Sequence, residues 1–438
     1  MGFKRQVVGT YIVRIVLIPV GLVYSVVTAR WLGPSGLGLF AAIGAIVGTA
    51  SQLGNLGLPV AVSRFAAEDG KKVPSLIANA RVIGALTGTL AVAALAVMYA
   101  GLPAVFGEVP RNLALVAALA LPFGFASGQF QSVLLGRQRV REYNFMEAMN
   151  RVLSLVVAFV VLVLMGLGLP TLVVMTVVIA LINYAVYQVV LWPQSARLAP
   201  DPGLMKSMST FTGKAYLGTL LSYLVLRSDI LLINAMLGPD PTGLYSVAVR
   251  PIDFMLLLPA VSGTLLFPRI AASGGDRESA QFTAMVARHI ALVMLVACAV
   301  LAAVAWWVVP ALFSSAYQGS VIPLWILLPG ALCMAVQSIL GNDLAGRDYP
   351  LAILWIWTAL LITNVGLNVI WIPRYGIAGA AASSTVAYAL SLLLMGRYWL
   401  KRFPEIRAVD LVRLRPGELR ALTDTLRRRI HQDGSDES

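Results

Sequence analysis

The chain has few of the residues that enzymes most often use for chemistry. Its 438 residues include two His, His289 and His431, and two Cys, Cys298 and Cys333. No Gly-x4-Gly-Lys-Ser/Thr loop occurs, so we expect no ATP-hydrolysing module within the chain. His, Cys and carboxylates do not group as in a metal or nucleophile site, and both cysteines fall inside apolar runs as small core residues do. We therefore expect neither enzyme activity nor a cofactor.

Charge is scarce as well, at 12% of residues against the roughly 25% of soluble domains. Hydrophobic residues make up 59%, in repeated runs close to the ~20 residues that cross a ~30 Å hydrocarbon core. The sequence thus predicts an all-α polytopic membrane protein with about twelve transmembrane helices. The predicted spans are 9–29, 37–58, 78–100, 113–135, 145–167, 171–192, 211–237, 243–267, 286–309, 321–340, 351–372 and 377–399.

The net charge of +13 raises the question of a nucleic-acid partner. With the N-terminus inside, the predicted inner loops and helix ends hold sixteen Lys and Arg residues, and the outer ones hold only Arg30, Arg111 and Arg374. This positive-inside bias predicts a multi-pass protein of the inner (cytoplasmic) membrane with both termini in the cytoplasm. Topology explains most of the excess charge, so we expect no nucleic-acid partner.

The two halves of the chain resemble each other at a nearly constant offset. Leu-Gly-Pro at 32–34, followed by Gly-Leu-Phe at 38–40, recurs 205 residues later as Leu-Gly-Pro at 237–239 and Gly-Leu-Tyr at 243–245. Weaker matches follow in the same order, such as 64–67 with 269–272 and 131–132 with 337–338. We predict two six-helix lobes, 1–200 and 201–400, and a cytoplasmic tail, 401–438, with a short amphipathic helix. Because six spans is an even number, the lobes enter the membrane in the same direction, with substrate between them.

Four ionisable residues lie deep inside predicted spans: Arg227 and Asp229 in the seventh, Arg250 and Asp253 in the eighth. Each such group costs roughly 2.5–3.5 kcal/mol in hydrocarbon, so it normally faces protein or water. All four lie at similar depths on either side of the loop around Gly238. They either neutralise one another and hold two helices together, or leave Arg227 or Arg250 facing a cavity. A guanidinium there would bind the phosphate oxygens of an anionic headgroup.

Arg14, about one turn into the first span, has two interpretations. It could snorkel to the inner membrane surface, or reach a phosphate in an inward-open cavity. The candidate substrate-binding residues are therefore Arg14, Arg227, Asp229, Arg250 and Asp253.

Three motifs carry a resemblance to a known family. They are the stretch 29–40, the Gly-Asn-Leu-Gly-Leu of 54–58 with Ser-Arg-Phe at 63–65, and the Gly-Ile-Ala-Gly-Ala-Ala of 376–381. Together they resemble the polysaccharide-transporter (oligosaccharide flippase, Wzx-like) family of the multidrug/oligosaccharidyl-lipid/polysaccharide exporter superfamily, over residues 1–399. The resemblance implies a substrate of oligosaccharide on polyprenyl pyrophosphate, moved from the inner to the outer leaflet through a cationic cavity. It implies membrane lipids, a polysaccharide polymerase and glycosyltransferases as partners.

Two other functions stay open on the sequence. The drug-exporting branch of the superfamily also has twelve spans, and a cation-coupled multidrug exporter would favour carboxylates over arginines in its cavity. A membrane-embedded enzyme of glycan assembly would be expected to carry acidic residues in a large outer loop, and every predicted outer loop is short. The lipid II flippases of the superfamily resemble fourteen-span proteins, so twelve spans argue against that branch.

Overall fold

The protein is described by a computed structural model over residues 3–192, 199–211, 213–260, 276–347 and 350–411, with the side chains of 3–15, 209–211, 213–215 and 276 left out. These residues form helices without a strand. The helices are α1 Phe3–Asn55, α2 Leu58–Glu68, α3 Val73–Gly101, α4 Arg111–Ala118, α5 Leu121–Gly136, α6 Val140–Ala158, α7 Leu169–Leu191, α8 Pro202–Phe211, α9 Gly213–Leu237, α10 Pro239–Met255, α11 Asp276–Phe313, α12 Val321–Arg347 and α13 Leu351–Arg402.

The helical stretches α1 and α13 each contain two membrane crossings, separated by a kink at a glycine. Ten stretches within the described ranges are long and apolar enough to cross. The first, Val16–Asn55, and the last, Leu351–Arg402, contain Gly33 and Gly376, whose backbones are non-helical at φ 68° and φ 60°. At 1.5 Å per residue, the 52-residue α13 is more than twice as long as a ~30 Å core is thick. Counting both as double crossings gives twelve, so the predicted all-α polytopic fold is confirmed.

Large apolar side chains face outward along these helices. Val189 is 74% exposed and Trp355 72%, which water would disfavour and lipid tolerates. The interior packs in several clusters, each drawn mainly from one half of the chain. One centres on Leu76, Ile77 and Phe130 of the first half, and another on residues of the second half such as Trp399. Lobe boundaries at 200 and 400 stay predictions, and the predicted tail helix beyond residue 416 lies outside the described residues.

Two short helices that the span prediction did not include lie between spans. In α2, Leu58, Ala61, Val62 and Ala66 are buried, and their spacing places them on one helix face. That face packs on the end of α5, where a Cβ at Gly136 would lie 2.2 Å from the backbone oxygen of Ser63. The second, α8, follows residue 201, where the Asp201 carbonyl accepts a hydrogen bond from Asn79 at 3.1 Å. Both helices sit at the end of the bundle opposite Gly33.

The repeated Leu-Gly-Pro motifs meet where α1 crosses α10. Gly33 and Gly238 both have left-handed backbones, at φ 68° and φ 84°. A Cβ at Gly38 would lie 1.8 Å from the Pro239 carbonyl oxygen, and one at Gly243 would lie 1.9 Å from that of Pro34. The contact is thus reciprocal, with each lobe presenting the same residues to the other. We call this end of the bundle, defined by residues 33–38 and 238–243, the glycine end.

Further hydrogen bonds join the two halves at the glycine end. The Tyr317 hydroxyl donates to the Ala29 carbonyl at 2.8 Å. The Arg30 guanidinium donates to the carbonyl of Leu312 at 2.7 Å, close to the C-terminus of α11, where a helix favours positive charge. The Asn234 amide donates to the Phe106 carbonyl at 2.9 Å. The structure therefore has this end closed.

At the opposite end of the second half, a buried ion pair anchors three helices. Asp343 is fully buried and accepts hydrogen bonds from Trp399 Nε1 at 2.7 Å, from Thr283 at 3.0 Å and from Arg347 at 3.2 Å. The Arg347 guanidinium also stacks over the Phe403 ring, 4.7 Å from its centroid. These contacts hold α11, α12 and the end of α13 together.

We predict that Asp343→Ala lowers the free energy of unfolding by about 3–5 kcal/mol, as removal of one member of a buried ion pair does. Thermal unfolding of the purified protein in detergent checks this. Glu68→Ala is the control, since its pair with Arg64 is about half exposed and such pairs contribute ~0–1 kcal/mol. A Tm for Asp343→Ala equal to that of the control would show that the pair contributes little.

Candidate functional site

A cavity of about 300 Å³ lies between α1 of the first half and α9 and α10 of the second. Its volume falls at the lower end of the ~300–1,000 Å³ range of ligand sites. Its lining includes both deep arginines and one deep aspartate. Among the lining residues are Phe40, Gly44, Tyr223, Arg227, Arg250 and Asp253. In this cavity the second half therefore presents its charges to an uncharged face of α1.

Positive charge prevails in this cavity. Arg227 donates to Asp253 at 3.3 Å, and both side chains are about 30% exposed, so neither is sealed in the protein interior. Arg250 lines the same cavity and forms no ion pair with any residue that the structure describes. Two guanidinium groups thus face one carboxylate. The structure thus brings together three of the sequence-predicted residues, Arg227, Arg250 and Asp253. Asp253 pairs with Arg227 on the neighbouring helix and not with Arg250 on its own helix.

Asp229 lies on the opposite side of α9 from Arg227 and is not among the described residues that line the cavity. Two residues after Arg227 on α9, it is rotated by about 200° at ~3.6 residues per turn. Its side chain is 3% exposed and lies inside the second half. The carboxylate accepts hydrogen bonds from the Tyr245 hydroxyl at 2.7 Å, from Asn368 Nδ2 at 2.6 Å and from Ser384. Its role as a substrate-binding residue stays untested.

The hydrogen bonds around Asp229 continue through α13. Asn364 accepts from Ser228 at 2.9 Å and from Asn368 at 3.2 Å, and donates to Ser384 at 3.0 Å. Among the described residues, every hydrogen-bond partner of the buried carboxylate is a neutral group. A buried charge without a cationic partner is costly, and a bound proton or a small monovalent cation among these oxygens would neutralise it.

Two asparagines of α13 are a sequence signal for this cluster. Asn364 and Asn368 are four residues apart in an otherwise apolar span, so they share one helix face. Both are fully buried. Polar side chains inside a span normally hydrogen-bond across helices, so the pair pointed to a polar partner on another helix. Arg14 cannot be placed in the site, because its side chain lies outside the described residues.

A second, larger cavity of about 520 Å³ lies between α1, α3 and α9. Its lining is almost entirely apolar, with Leu53, Leu90, Leu95 and Met98 among it. Both cavities border α1 and α9: Leu231 lines the apolar cavity, and the preceding residue, Ile230, lines the charged one. Such a lining suits a hydrocarbon chain and disfavours a charged group.

Comparison with known proteins identifies the family. Residues 4–274, more than half of the chain, match the family described as polysaccharide biosynthesis protein. The chain belongs to this family. The polysaccharide-transporter resemblance of the sequence is thereby confirmed.

A curated relative and two solved structures are similar to this family member over most of its length. The probable low-salt glycan biosynthesis flippase Agl15 of Haloferax volcanii is 23% identical over 386 residues, which cover 86% of this chain and 79% of the relative. A lipid II flippase MurJ in an inward closed conformation superposes with a TM-score of 0.75 at 14% identity, covering 92% of this chain and 89% of MurJ. An inward-facing MATE multidrug resistance transporter of the MOP superfamily gives 0.68 at 16% identity, covering 87% and 94%. These similarities agree with the predicted all-α polytopic fold.

Proposed function

We propose that this protein is a flippase that moves oligosaccharide linked to polyprenyl pyrophosphate from the inner to the outer leaflet. The observation that carries the proposal is the cavity between the two halves, in which Arg227 and Arg250 face one carboxylate, Asp253. Guanidinium groups bind phosphate oxygens through charge-assisted hydrogen bonds. The family supports the same substrate class, and so does the similarity to the Haloferax relative, a probable glycan biosynthesis flippase.

The charge of the cavity favours this substrate over a cationic drug. An exporter of cations would need a carboxylate free to face its substrate. Of the described residues that line the cavity, Asp253 is the only carboxylate, and Arg227 neutralises it. The similarity to the MATE transporter is a similarity of fold, and a shared fold does not identify the substrate.

The glycine end suggests how the two halves alternate. We propose that the protein lies in the inner membrane with both termini in the cytoplasm. In this orientation the glycine end faces outward. The reciprocal contacts of Gly38 with Pro239 and of Gly243 with Pro34 keep that end shut in the structure. Outward release requires those contacts to separate while the other end closes, the rocking motion of repeat-built transporters.

The Asp229 cluster supplies the proposed coupling to an energy source. Binding of a proton or a small monovalent cation at Asp229 neutralises a charge that lies behind Arg227 on the same helix. Such a change alters the packing of α9 against α13, where Asn368 and Ser384 bind the carboxylate. We propose that this site links the ion gradient to the motion of the second half.

We predict that Asp229→Asn leaves protein abundance and Tm close to those of wild type, because the amide keeps the shape of the side chain and removes the buried charge. Glycan export falls at least tenfold, because the neutral amide cannot take up a proton or a cation. Export and Tm are measured side by side, with Glu278→Gln, at an exposed position of the same half, as the control. Normal export by Asp229→Asn would show that the cluster has a structural role and does not couple transport to an ion gradient.

A deletion strain tests the proposed function. Loss of the protein is expected to leave lipid-linked oligosaccharide on the cytoplasmic leaflet, where it accumulates while surface glycan disappears. The lipid fraction is extracted and its saccharide counted by mass spectrometry, with a plasmid-borne copy as the rescue. A strain that keeps its surface glycan and accumulates no lipid-linked intermediate would contradict the proposal. Polymerase and glycosyltransferases that act on this intermediate are the proposed partners.

A further inference from the structure

A third cavity, in the second half of the chain, has a different chemistry. About 220 Å³ of space lies between α9, α12 and α13. None of the side chains that line it is ionisable. Its polar lining comes from amides and hydroxyls, and its aromatic lining from one indole ring. The residues that matter are Thr219, Ser222, Gln337, Ser338, Asn342 and Trp357.

Gln337 is the feature that points to a ligand. The side chain is 2% exposed and lines the cavity, yet its Oε1 atom has no hydrogen-bond partner. A buried carbonyl oxygen without a donor costs roughly 1–3 kcal/mol, and proteins rarely leave one in that state without a reason. A ligand that donates a hydroxyl proton would satisfy it. Ser338 and Asn342, one and five residues further along α12, offer additional polar atoms to the same space.

Trp357 narrows the class of ligand. Its ring is partly buried between the cores of the second half and lines the cavity beside the polar groups. An indole ring provides a flat apolar surface for the C–H face of a sugar, while amides and hydroxyls bind the sugar's O–H groups. The absence of a cation among the described lining residues disfavours phosphate, and the polar groups disfavour a hydrocarbon chain. A neutral sugar satisfies both sets of groups.

The position of this cavity relates it to the arginine cavity. Ser222 of α9 lines the polar cavity, and the next residue, Tyr223, lines the charged one. Arg227 lies five residues beyond Ser222, which is about 7.5 Å along the helix axis. One helix thus lines both a cationic site and a neutral polar site. At 220 Å³ the polar site is smaller than the ~300–1,000 Å³ of pockets that enclose a whole ligand, as expected for one unit of a larger one.

We propose that the cavity around Gln337 and Trp357 is a subsite for a neutral sugar unit of the transported oligosaccharide. The proposal rests on the proposed flippase function and assigns the glycan a place that the arginine cavity does not provide. Gln337 accepts a sugar hydroxyl at Oε1, and Trp357 stacks on the ring. Selectivity among glycans then resides in α12 and α13, while Arg227 and Arg250 bind the pyrophosphate common to all such lipids.

Two probes separate the subsite from the headgroup site. One is inorganic pyrophosphate, and the other is the neutral glycan released by mild acid from the host's lipid-linked oligosaccharide. Binding of each to the full-length protein in nanodiscs is measured by calorimetry. We expect Gln337→Leu and Trp357→Leu to weaken glycan binding at least tenfold and to leave pyrophosphate binding unchanged. Arg250→Ala is expected to weaken pyrophosphate binding and to leave glycan binding unchanged.

Matched controls lie close to both positions. Trp355→Leu changes a ring that is 72% exposed on the outside of the same helix. Gln131→Leu changes the counterpart of Gln337 in the first half. Both are expected to bind glycan as wild type does. Asn342→Ala, at a partly exposed position, tests the site without a buried substitution and is expected to weaken glycan binding severalfold.

The outcomes distinguish the two proposals. The sugar subsite is overturned if the glycan fails to bind wild type, or if it binds Gln337→Leu, Trp357→Leu and Asn342→Ala as tightly as wild type. Neither result contradicts the headgroup site. Pyrophosphate binding that is insensitive to Arg250→Ala, together with glycan binding that depends on Gln337 and Trp357, supports the subsite and contradicts the headgroup site.

Discussion

Replacing Arg250 with alanine is expected to reduce glycan export by at least tenfold at unchanged protein level. Arg250 lines the cavity between the halves and has no carboxylate partner among the described residues, so its charge is available to an anionic headgroup. A hydrogen bond to a charged group contributes about 1.5–3 kcal/mol, and every 1.4 kcal/mol corresponds to a factor of ten. Export is measured as surface glycan per amount of protein in the membrane.

The control for Arg250 is Arg111→Ala, which removes an exposed arginine at the start of α4. It is expected to export normally. Arg250→Lys is expected to export at an intermediate rate, because an ammonium keeps the charge and loses the fork that fits phosphate. Arg227→Ala alone leaves Asp253 unpaired, so it is combined with Asp253→Asn. Normal export by both Arg250→Ala and the double variant would mean that the cavity does not bind the headgroup.

The second large effect is expected at the glycine end. Gly38→Val or Gly243→Val should stop export almost completely while the protein still reaches the membrane. A Cβ at either position would lie less than 2 Å from a carbonyl oxygen of the other half, so the two halves cannot approach as they do in the structure. If the closed glycine end is a necessary state of the cycle, a protein that cannot reach it cannot transport.

Cysteine labelling measures the closure directly. Cys298 and Cys333 are free and are first replaced with alanine, and Ala41, which lines the arginine cavity, is replaced with cysteine. A membrane-impermeant maleimide added from the glycine end should label Ala41→Cys faster when Gly38→Val is present. Gly128→Ala is the control, because a Cβ there meets no atom within 4 Å. Equal labelling and normal export in Gly38→Val would show that the glycine contact is not a gate.

Much of the fold could be predicted because membrane spans are local features of a sequence. An apolar run of sufficient length fixes a crossing without knowledge of its neighbours. The helix boundaries at Gly33 and Gly376 could be predicted, because a non-helical glycine separates two crossings there. The break at Leu119 and Ala120, which divides one predicted span into α4 and α5, could not. The short helix α2 was missed because hydropathy detects spans, and α2 is only amphipathic.

The internal repeat contains information about the contact between the halves that the number of spans does not. Equivalent glycines at 38 and 243 were recognised as a duplicated motif, but a sequence cannot show that one copy packs on the other. The structure shows that each glycine makes room for a carbonyl of the opposite half. The motif is therefore a contact between the halves as well as a mark of duplication.

The candidate site was predicted in part. Arg227, Arg250 and Asp253 could be predicted to lie near one another, because their depth in the membrane can be counted along the chain. All three line one cavity in the structure. Asp229 was grouped with them by depth alone, although its direction on α9 is opposite to that of Arg227. Its partners Asn368 and Ser384 lie more than 130 residues away, and only the folded packing of α13 against α9 brings them together.

The most direct test of the account is translocation by the purified protein. Lipid-linked oligosaccharide extracted from the host is reconstituted into vesicles with or without the protein, and a membrane-impermeant glycosidase reports how much glycan reaches the outer leaflet with time. We expect glycan initially protected inside the vesicles to become accessible with wild type, at least tenfold more slowly with Arg250→Ala, and not at all in protein-free vesicles. Wild-type vesicles that protect their glycan as long as protein-free vesicles do, with an ion gradient applied, would contradict the account.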